Sequence, residues 1–276
     1  MSTRRLIGIL TGRTALVVLL IFWLFPVYWL ILTAFKLKVD IQSSDPVWIV
    51  TPVLDNFIWL QQNFTFDPLK HSLIVVFLSV AIATLLGAPM AYALARFPFK
   101  QRDDVEFWVI STRMLPPEAL IIPYYVIMIH IHLINTVTGL TIIYSAINLP
   151  VIVWILLAFY RMMPASTEEA ARIDGCSLWS AYFRIVIPMS ASSIVAAALI
   201  IWIMTWNEFF FSFVLTSSNT TLPVEVASFL ANGFNPQYGP MAAAGLILTI
   251  PPLLIAFFGR QYLIRGIQGL AGGEAR

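Results

Sequence analysis

The feature that most constrains this chain is its succession of long runs almost free of charge. A helix that crosses a bilayer needs about 20 mostly apolar residues. Six stretches meet that length: 14–35, 72–95, 107–130, 138–160, 190–215 and 240–260. A soluble domain carries about 25% charged residues, whereas this chain of 276 residues carries 11%, with 59% hydrophobic. The expected fold class is therefore an all-α polytopic membrane protein with six transmembrane helices. A net charge of +2 is too small to recruit nucleic acid, so none is expected as a partner. With one cysteine, Cys176, the chain forms no internal disulfide.

The first run follows Arg4, Arg5 and Arg13, as a signal peptide would. It is too long for a signal core, and no small-residue cleavage site precedes Lys36, so an uncleaved anchor is expected. Lys and Arg collect on the cytoplasmic side of membrane proteins. With the N-terminus inside, the inner segments hold Arg4, Arg5, Arg13, Arg96, Lys100, Arg102, Arg161, Arg172, Arg184, Arg260, Arg265 and Arg276. The outer segments then hold only Lys36, Lys38 and Lys70. The stretch 36–70, with Trp48 and Trp59, becomes an extracytoplasmic loop able to meet a partner or the lipid surface, and 216–239 becomes a second.

Small residues recur in the second run (Gly87, Ala88, Ala91), the fifth (Ala191, Ser192, Ser193, Ala196, Ala197) and the sixth (Ala242, Ala243, Ala244, Gly245). They allow helix backbones to approach closely in lipid. Pro89, Pro116, Pro117, Pro123, Pro150, Pro251 and Pro252 interrupt several runs. Each removes a backbone hydrogen bond, which a membrane tolerates where neighbouring helices or a water-lined cavity compensate. So many interruptions fit a moving pathway better than an inert anchor.

Polar groups within spans are costly and point to function. Arg113 lies two turns into the third run, before Pro116-Pro117. It can line a pathway, anchor an anionic group, pair with Glu118 or Glu208, or snorkel to the inner surface. Asn207 and Glu208 lie deep in the fifth run behind Trp202 and Trp206, and Asn148 stands beside Pro150 in the fourth. Arg113, Asn148, Trp206, Asn207 and Glu208 are the candidate pathway residues, with Trp154, Trp202 and Tyr124 as further rings suited to sugar stacking. His130 and His132 are isolated, and no metal site is expected. No catalytic residue is identified.

Between the fourth and fifth runs, Ser166 to Pro188 forms a charged, polar interruption, facing the cytoplasm in this orientation. Pro164 ends the preceding span. Ser166 and Glu169 have capping-box spacing, and Glu168 and Glu169 suit the first turn of a helix. Asp174-Gly175 makes a turn, because glycine accepts a positive φ. Ser177 can cap a second helix, expected to end before Pro188. A helix–turn–helix with only Arg172 and Arg184 as basic residues does not read DNA. It suits docking to a soluble partner.

Glu169-Ala170-Ala171, three residues, Gly175, nine residues, Ile185, two residues and Pro188 resemble the EAA loop of binding-protein-dependent ABC importers. Ile187 stands where leucine usually precedes the proline. Ala91 to Phe97, Leu115-Pro-Pro117 with Ile122-Pro123, Leu133 to Thr136, Trp206 to Phe209 and Arg265-Gly266 resemble the carbohydrate-uptake branch, in its smaller maltose-type permease subunit. The resemblance implies an importer permease fold in which Glu168, Glu169, Ala170, Ala171, Asp174, Gly175 and Pro188 couple to a cytoplasmic ATPase.

It further implies a second permease completing a heterodimer, an ATPase dimer that binds ATP and Mg, and an extracytoplasmic binding protein delivering a sugar-type solute. The location would be a prokaryotic cytoplasmic membrane. The chain itself has no G-x-x-x-x-G-K-[ST] phosphate loop, so no cofactor is assigned to it. On this reading it divides into an anchor with its outer loop (1–71), a permease core (72–265, coupling loop 161–188) and a cytoplasmic tail (266–276). An importer of the same superfamily moving an amino acid, peptide or anion stays open. A secondary transporter would call for acidic ion sites and an inverted repeat, and a non-transporting scaffold would leave the prolines unexplained.

Overall fold

The computed structural model describes residues 3–63, 66–230 and 236–271, and side chains within 12–63, 66–116, 118–230 and 236–262. Along the chain the helices are α1 Thr3–Ala34, α2 Lys38–Ile41, α3 Asp55–Asn63, α4 Asp67–Arg96, α5 Arg102–Ser111, α6 Ile121–His130 and α7 Val137–Met162. There follow α8 Ser166–Ile173, α9 Leu178–Ala181, α10 Ile187–Trp206, α11 Phe210–Leu215, α12 Leu222–Ser228 and α13 Tyr238–Ala271. No strand occurs among the described residues. The chain forms two compact units, residues 1–65 with 225–250 and residues 66–224 with 251–276.

Five helical stretches are long and apolar enough to cross a membrane: Gly12–Ala34, Asp67–Arg96, Val137–Met162, Leu178–Trp206 and Tyr238–Tyr262. The remaining expected span is not one helix. α5 ends at Ser111, a 3-10 turn occupies Pro117–Leu120, and the apolar helix α6, Ile121–His130, follows. Pro116 and Pro117 cause the break, because a proline offers no N–H and disfavours helical geometry in the residue before it. Arg113 thus lies in a break and not inside a span. Pro89, Pro150, Pro251 and Pro252, by contrast, sit inside continuous helices.

The fifth span is also displaced from its expected position. It starts at Leu178 and ends at Trp206, so Asn207 and Glu208 follow the helix and do not lie deep within it. Nor does its first part end before Pro188. α9 passes through a π-helical turn at Tyr182–Val186 directly into α10, with Ile187 N–H bonding the Tyr182 carbonyl. This wider turn shifts the carbonyl register just ahead of Pro188, whose nitrogen has no proton to donate.

In the larger unit α4 packs along α7, and small residues set the approach. A Cβ on Gly87 would stand 2.5 Å from Cγ2 of Ile152. Ala83, Ala88 and Ala91 are buried in the same stripe, and on α10 so are Ser193, Ala196 and Ala197. The turn between α6 and α7 is held by Asn135, whose φ is +57°. Its Oδ1 accepts from the backbone N–H groups of Ser217 (2.9 Å), Ser218 (3.1 Å) and Asn219 (3.2 Å). Thr136 then caps α7, accepting from Gly139 N at 3.0 Å.

In the smaller unit Asn56 is the joint. Its amide donates to the carbonyls of Ala34 (3.0 Å) and Lys36 (2.8 Å). Gly239 comes so close that a Cβ there would lie 2.2 Å from Asn56 Oδ1. Trp48 folds back onto α1, its ring 5.3 Å from that of Trp29.

Candidate functional site

The polar loop is ordered by backbone chemistry. The capping box does not form: α8 starts at Ser166, Ala165 is the cap, and no side chain caps it. The C-terminus follows the expected turn. Gly175 has φ +86°, its N–H bonds the Arg172 carbonyl at 3.1 Å, and Cys176 N–H bonds the Ala171 carbonyl at 3.0 Å. This pair of bonds is a Schellman motif, which closes the helix with its last carbonyls satisfied. Ser177 then caps α9, accepting from Ser180 N at 3.2 Å.

α8 has two faces. Glu168 and Ala171 are buried, whereas Glu169, Ala170, Arg172 and Asp174 are exposed, as is Pro188 at the start of α10. Glu168 is 8% exposed and bonded to α4 twice. Arg96 Nε donates to its Oε1 at 2.8 Å, and Tyr92 Oη donates to its Oε2 at 2.7 Å. Arg96 also donates to the Met163 carbonyl at 2.7 Å, tying the end of α7 to the same point. Tyr92 packs against Tyr182 of the π-helical turn, ring centroids 4.8 Å apart. α8 is thereby tied to α4, to the end of α7 and to the helix leading into α10. Ile173 at the end of α8 is 86% exposed, and Trp179 of α9 and Phe183 of the π-helical turn stack at 6.1 Å while remaining largely uncovered. Exposed apolar side chains beside charged residues are of the kind found at protein or membrane contact sites.

In the sequence Arg96 reads as an orientation marker, and with Tyr92 it belongs to the Ala91 to Phe97 stretch that resembles the carbohydrate-uptake branch; neither is legible there as a partner of Glu168. Arg161 likewise pairs with Glu106 of α5, with one oxygen at 3.0 Å from Nη1.

A second arrangement lies deeper in the larger unit. The break after α5, the middle of α7 and the end of α10 enclose a cavity of about 130 Å³. Arg113, Asn148 and Glu208 line it together, joined by Glu118, Tyr144 and Thr205. A neighbouring recess of about 150 Å³ shares Arg113 and runs to Tyr124 and Pro150. Asn148 Nδ2 donates to Thr205 Oγ1 at 2.7 Å, and Thr205 donates back to the Ile201 carbonyl at 2.6 Å. Tyr144 donates to Glu208 Oε2, and Glu208 Oε1 accepts from Phe211 N–H at 2.9 Å. Glu208 therefore holds the start of α11 as well as facing the cavity. Arg113 is half-buried and belongs to none of the ion pairs among the described residues.

Trp206 and Asn207 are placed elsewhere. Trp206 is buried, stacked on Trp202 at 5.1 Å with the rings 9° apart. Asn207 is exposed and donates to the Ile203 carbonyl at 2.8 Å. Tyr144 and Thr205 escaped the sequence reading because hydroxyls in apolar runs are common and usually bond their own helix. No group of three or more metal-ligating side chains occurs among the described residues.

Residues 83–269 match the model of the family described as binding-protein-dependent transport system inner membrane component. The chain is 32% identical to the probable ABC transporter permease protein y4oR of Sinorhizobium fredii, over 91% of this chain and 90% of that one. It is 31% identical to the sulfoquinovosyl glycerol transport system permease protein SmoH of Agrobacterium fabrum, over 93% of this chain and 90% of the relative. Its fold is similar to that in the crystal structure of a bacterial ABC transporter involved in import of the acidic polysaccharide alginate. The TM-score is 0.79 with 18% identity, covering 95% of this chain and 98% of the other.

Proposed function

From the premise that this chain belongs to the family of inner membrane components of binding-protein-dependent transport systems, we propose that it is the permease subunit of an ATP-driven sugar importer. Its solute is a sugar or sugar derivative, the class named for the relative SmoH. The single observation that carries the reading is α8. One face is locked to α4 through Glu168, Arg96 and Tyr92, and the other is left open at Glu169, Ala170 and Ile173. A surface anchored within and uncovered without is built to receive force from a soluble partner.

That partner is an ATPase dimer, which binds ATP and Mg. A second permease completes the pathway, and an extracytoplasmic binding protein delivers the solute. The N-terminus is cytoplasmic, as the Lys and Arg distribution favours. When the ATPases close, α8 moves and carries α4 and the α9–α10 helix with it, so the paired bundles open outward. Hydrolysis returns them inward. Glu169, Ala170, Ala171, Asp174 and Gly175 form and position the gripped helix, and Pro188 marks where its motion enters α10.

The cavity supplies the polar face of the pathway. A guanidinium, two carboxylates, an amide and two hydroxyls converge there, a mixed set suited to sugar hydroxyls, which both donate and accept. Its volume of about 130 Å³ is below the roughly 300–1,000 Å³ of ligand pockets, so it is one part of a site that the outward opening and the second permease complete.

The test is ATP hydrolysis by the chain with its co-encoded partners in lipid nanodiscs, screened with neutral, acidic and sulfonated sugars. One sugar class is expected to raise hydrolysis in the presence of the cognate binding protein. An assembled complex that no sugar stimulates would shift the solute to another class. Failure of any ATPase to co-purify would remove the coupling role.

A further inference from the structure

The smaller unit holds a recess of about 510 Å³ between the end of α1, the segment 40–47 and the first turn of α13. Its lining changes character along the chain. Pro26 and Leu30 belong to the membrane-spanning stretch Gly12–Ala34, whereas Lys36, Asp40 and Asp45 lie beyond its end. Lys36 is 2% exposed, yet none of the ion pairs among the described residues includes it. Its ammonium sits 4.2 Å over the Trp29 ring, a contact that leaves most of its hydrogen-bonding capacity unused. An ammonium that lines the recess with donors unused and no carboxylate within ion-pair reach suits an anionic group placed there.

The surroundings identify its carrier. Leu24, Val27 and Ile31 are exposed on α1, as on a helix bathed by acyl chains. Trp29 and Trp48 pack together at this end, and Tyr28 Oη donates to the Trp48 carbonyl at 3.0 Å. Such aromatic groups mark the level of lipid headgroups. A free sugar would leave the apolar lining uncovered. A headgroup with only negative charge would meet Lys36 but also face two carboxylates. A zwitterion satisfies both signs.

We propose that this recess binds a phospholipid headgroup of the phosphoethanolamine type. Lys36 donates to the phosphate, Asp40 and Asp45 accept from the ammonium, and the glycerol and first methylenes lie along Pro26 and Leu30. The proposal does not depend on which molecule is imported.

The experiment is native mass spectrometry of the full complex equilibrated with equal amounts of dioleoyl phosphatidylethanolamine and dioleoyl phosphatidylglycerol. The ethanolamine lipid is expected to be retained about tenfold more strongly, and Lys36→Met to lower its retention about tenfold with subunit stoichiometry unchanged. The double variant Asp40→Asn/Asp45→Asn is expected to turn the preference toward phosphatidylglycerol, which a merely damaged fold would not do. Soluble glycerophosphoethanolamine in a separate arm is expected not to displace the lipid. Equal retention of the two lipids, unchanged selectivity in both variants, or displacement by the soluble headgroup would overturn the proposal.

Discussion

Glu168 faces inward to Arg96 and Tyr92, while Glu169, one residue later, is left in solvent. A helix turns about 100° per residue, so adjacent carboxylates take different faces. Ser166–Glu169 has the spacing of a capping box, but Ser166 occupies the first helical position and not the cap. The spacing alone could not reveal that offset by one residue. The pairing of Glu168 was hidden for a different reason: its partners lie 72 and 76 positions away. Removing one partner of a buried pair leaves the other charge uncompensated, at a cost of about 3–5 kcal/mol. Glu168→Ala is therefore expected to lower the melting temperature of the assembled complex. In a double-mutant cycle, Arg96→Ala should add little on top of it. Additive losses from the two substitutions would show that the pair carries no mutual stabilisation.

At the scale of elements, the stripes of small residues and the Gly175 turn were legible, and the break in the third run and the end of the fifth were not. Gly87, Ala88 and Ala91 fall on one buried face because in lipid only small side chains let two helices touch closely. Gly87→Val would push its Cβ into Ile152 and force α4 from α7. An overpacking cost of about 1–3 kcal/mol is expected, read as a loss of assembled complex on size exclusion. Unchanged yield and melting would mean the helices are less closely packed than described. The break at Arg113 was signalled by Pro116-Pro117 but obscured by the apolar residues on both sides. The end of α10 at Trp206 carried no such signal, since Phe209 to Leu215 continue the hydrophobic run. There the chain breaks because Asn207 bonds back to Ile203 and Glu208 takes the Phe211 N–H. Both breaks open onto the cavity, placing Arg113 and Glu208 on chain that no longer satisfies itself as helix. Polar side chains alone suggested candidates; only the two breaks explain why these meet.

At the scale of the whole molecule, composition and run length were enough for the all-helical membrane class, and the Glu169 to Pro188 spacing marked the loop that folds as α8 and α9. The inward clamp of α8, the sharing of one cavity by three distant residues and the charged recess beside Lys36 were beyond sequence patterning. Each depends on contacts between segments far apart in the chain. On the proposed function, α8, closed by Gly175, transmits ATP-driven motion to the spans. The most direct test of this claim is sugar uptake into proteoliposomes by the complex carrying Gly175→Pro, after assembly has been checked. A proline can neither adopt φ +86° nor donate to the Arg172 carbonyl. The variant complex is expected to assemble, to stop accumulating the sugar and to lose the response of its ATP hydrolysis to it. Normal uptake together with normal sugar-stimulated hydrolysis would contradict the claim.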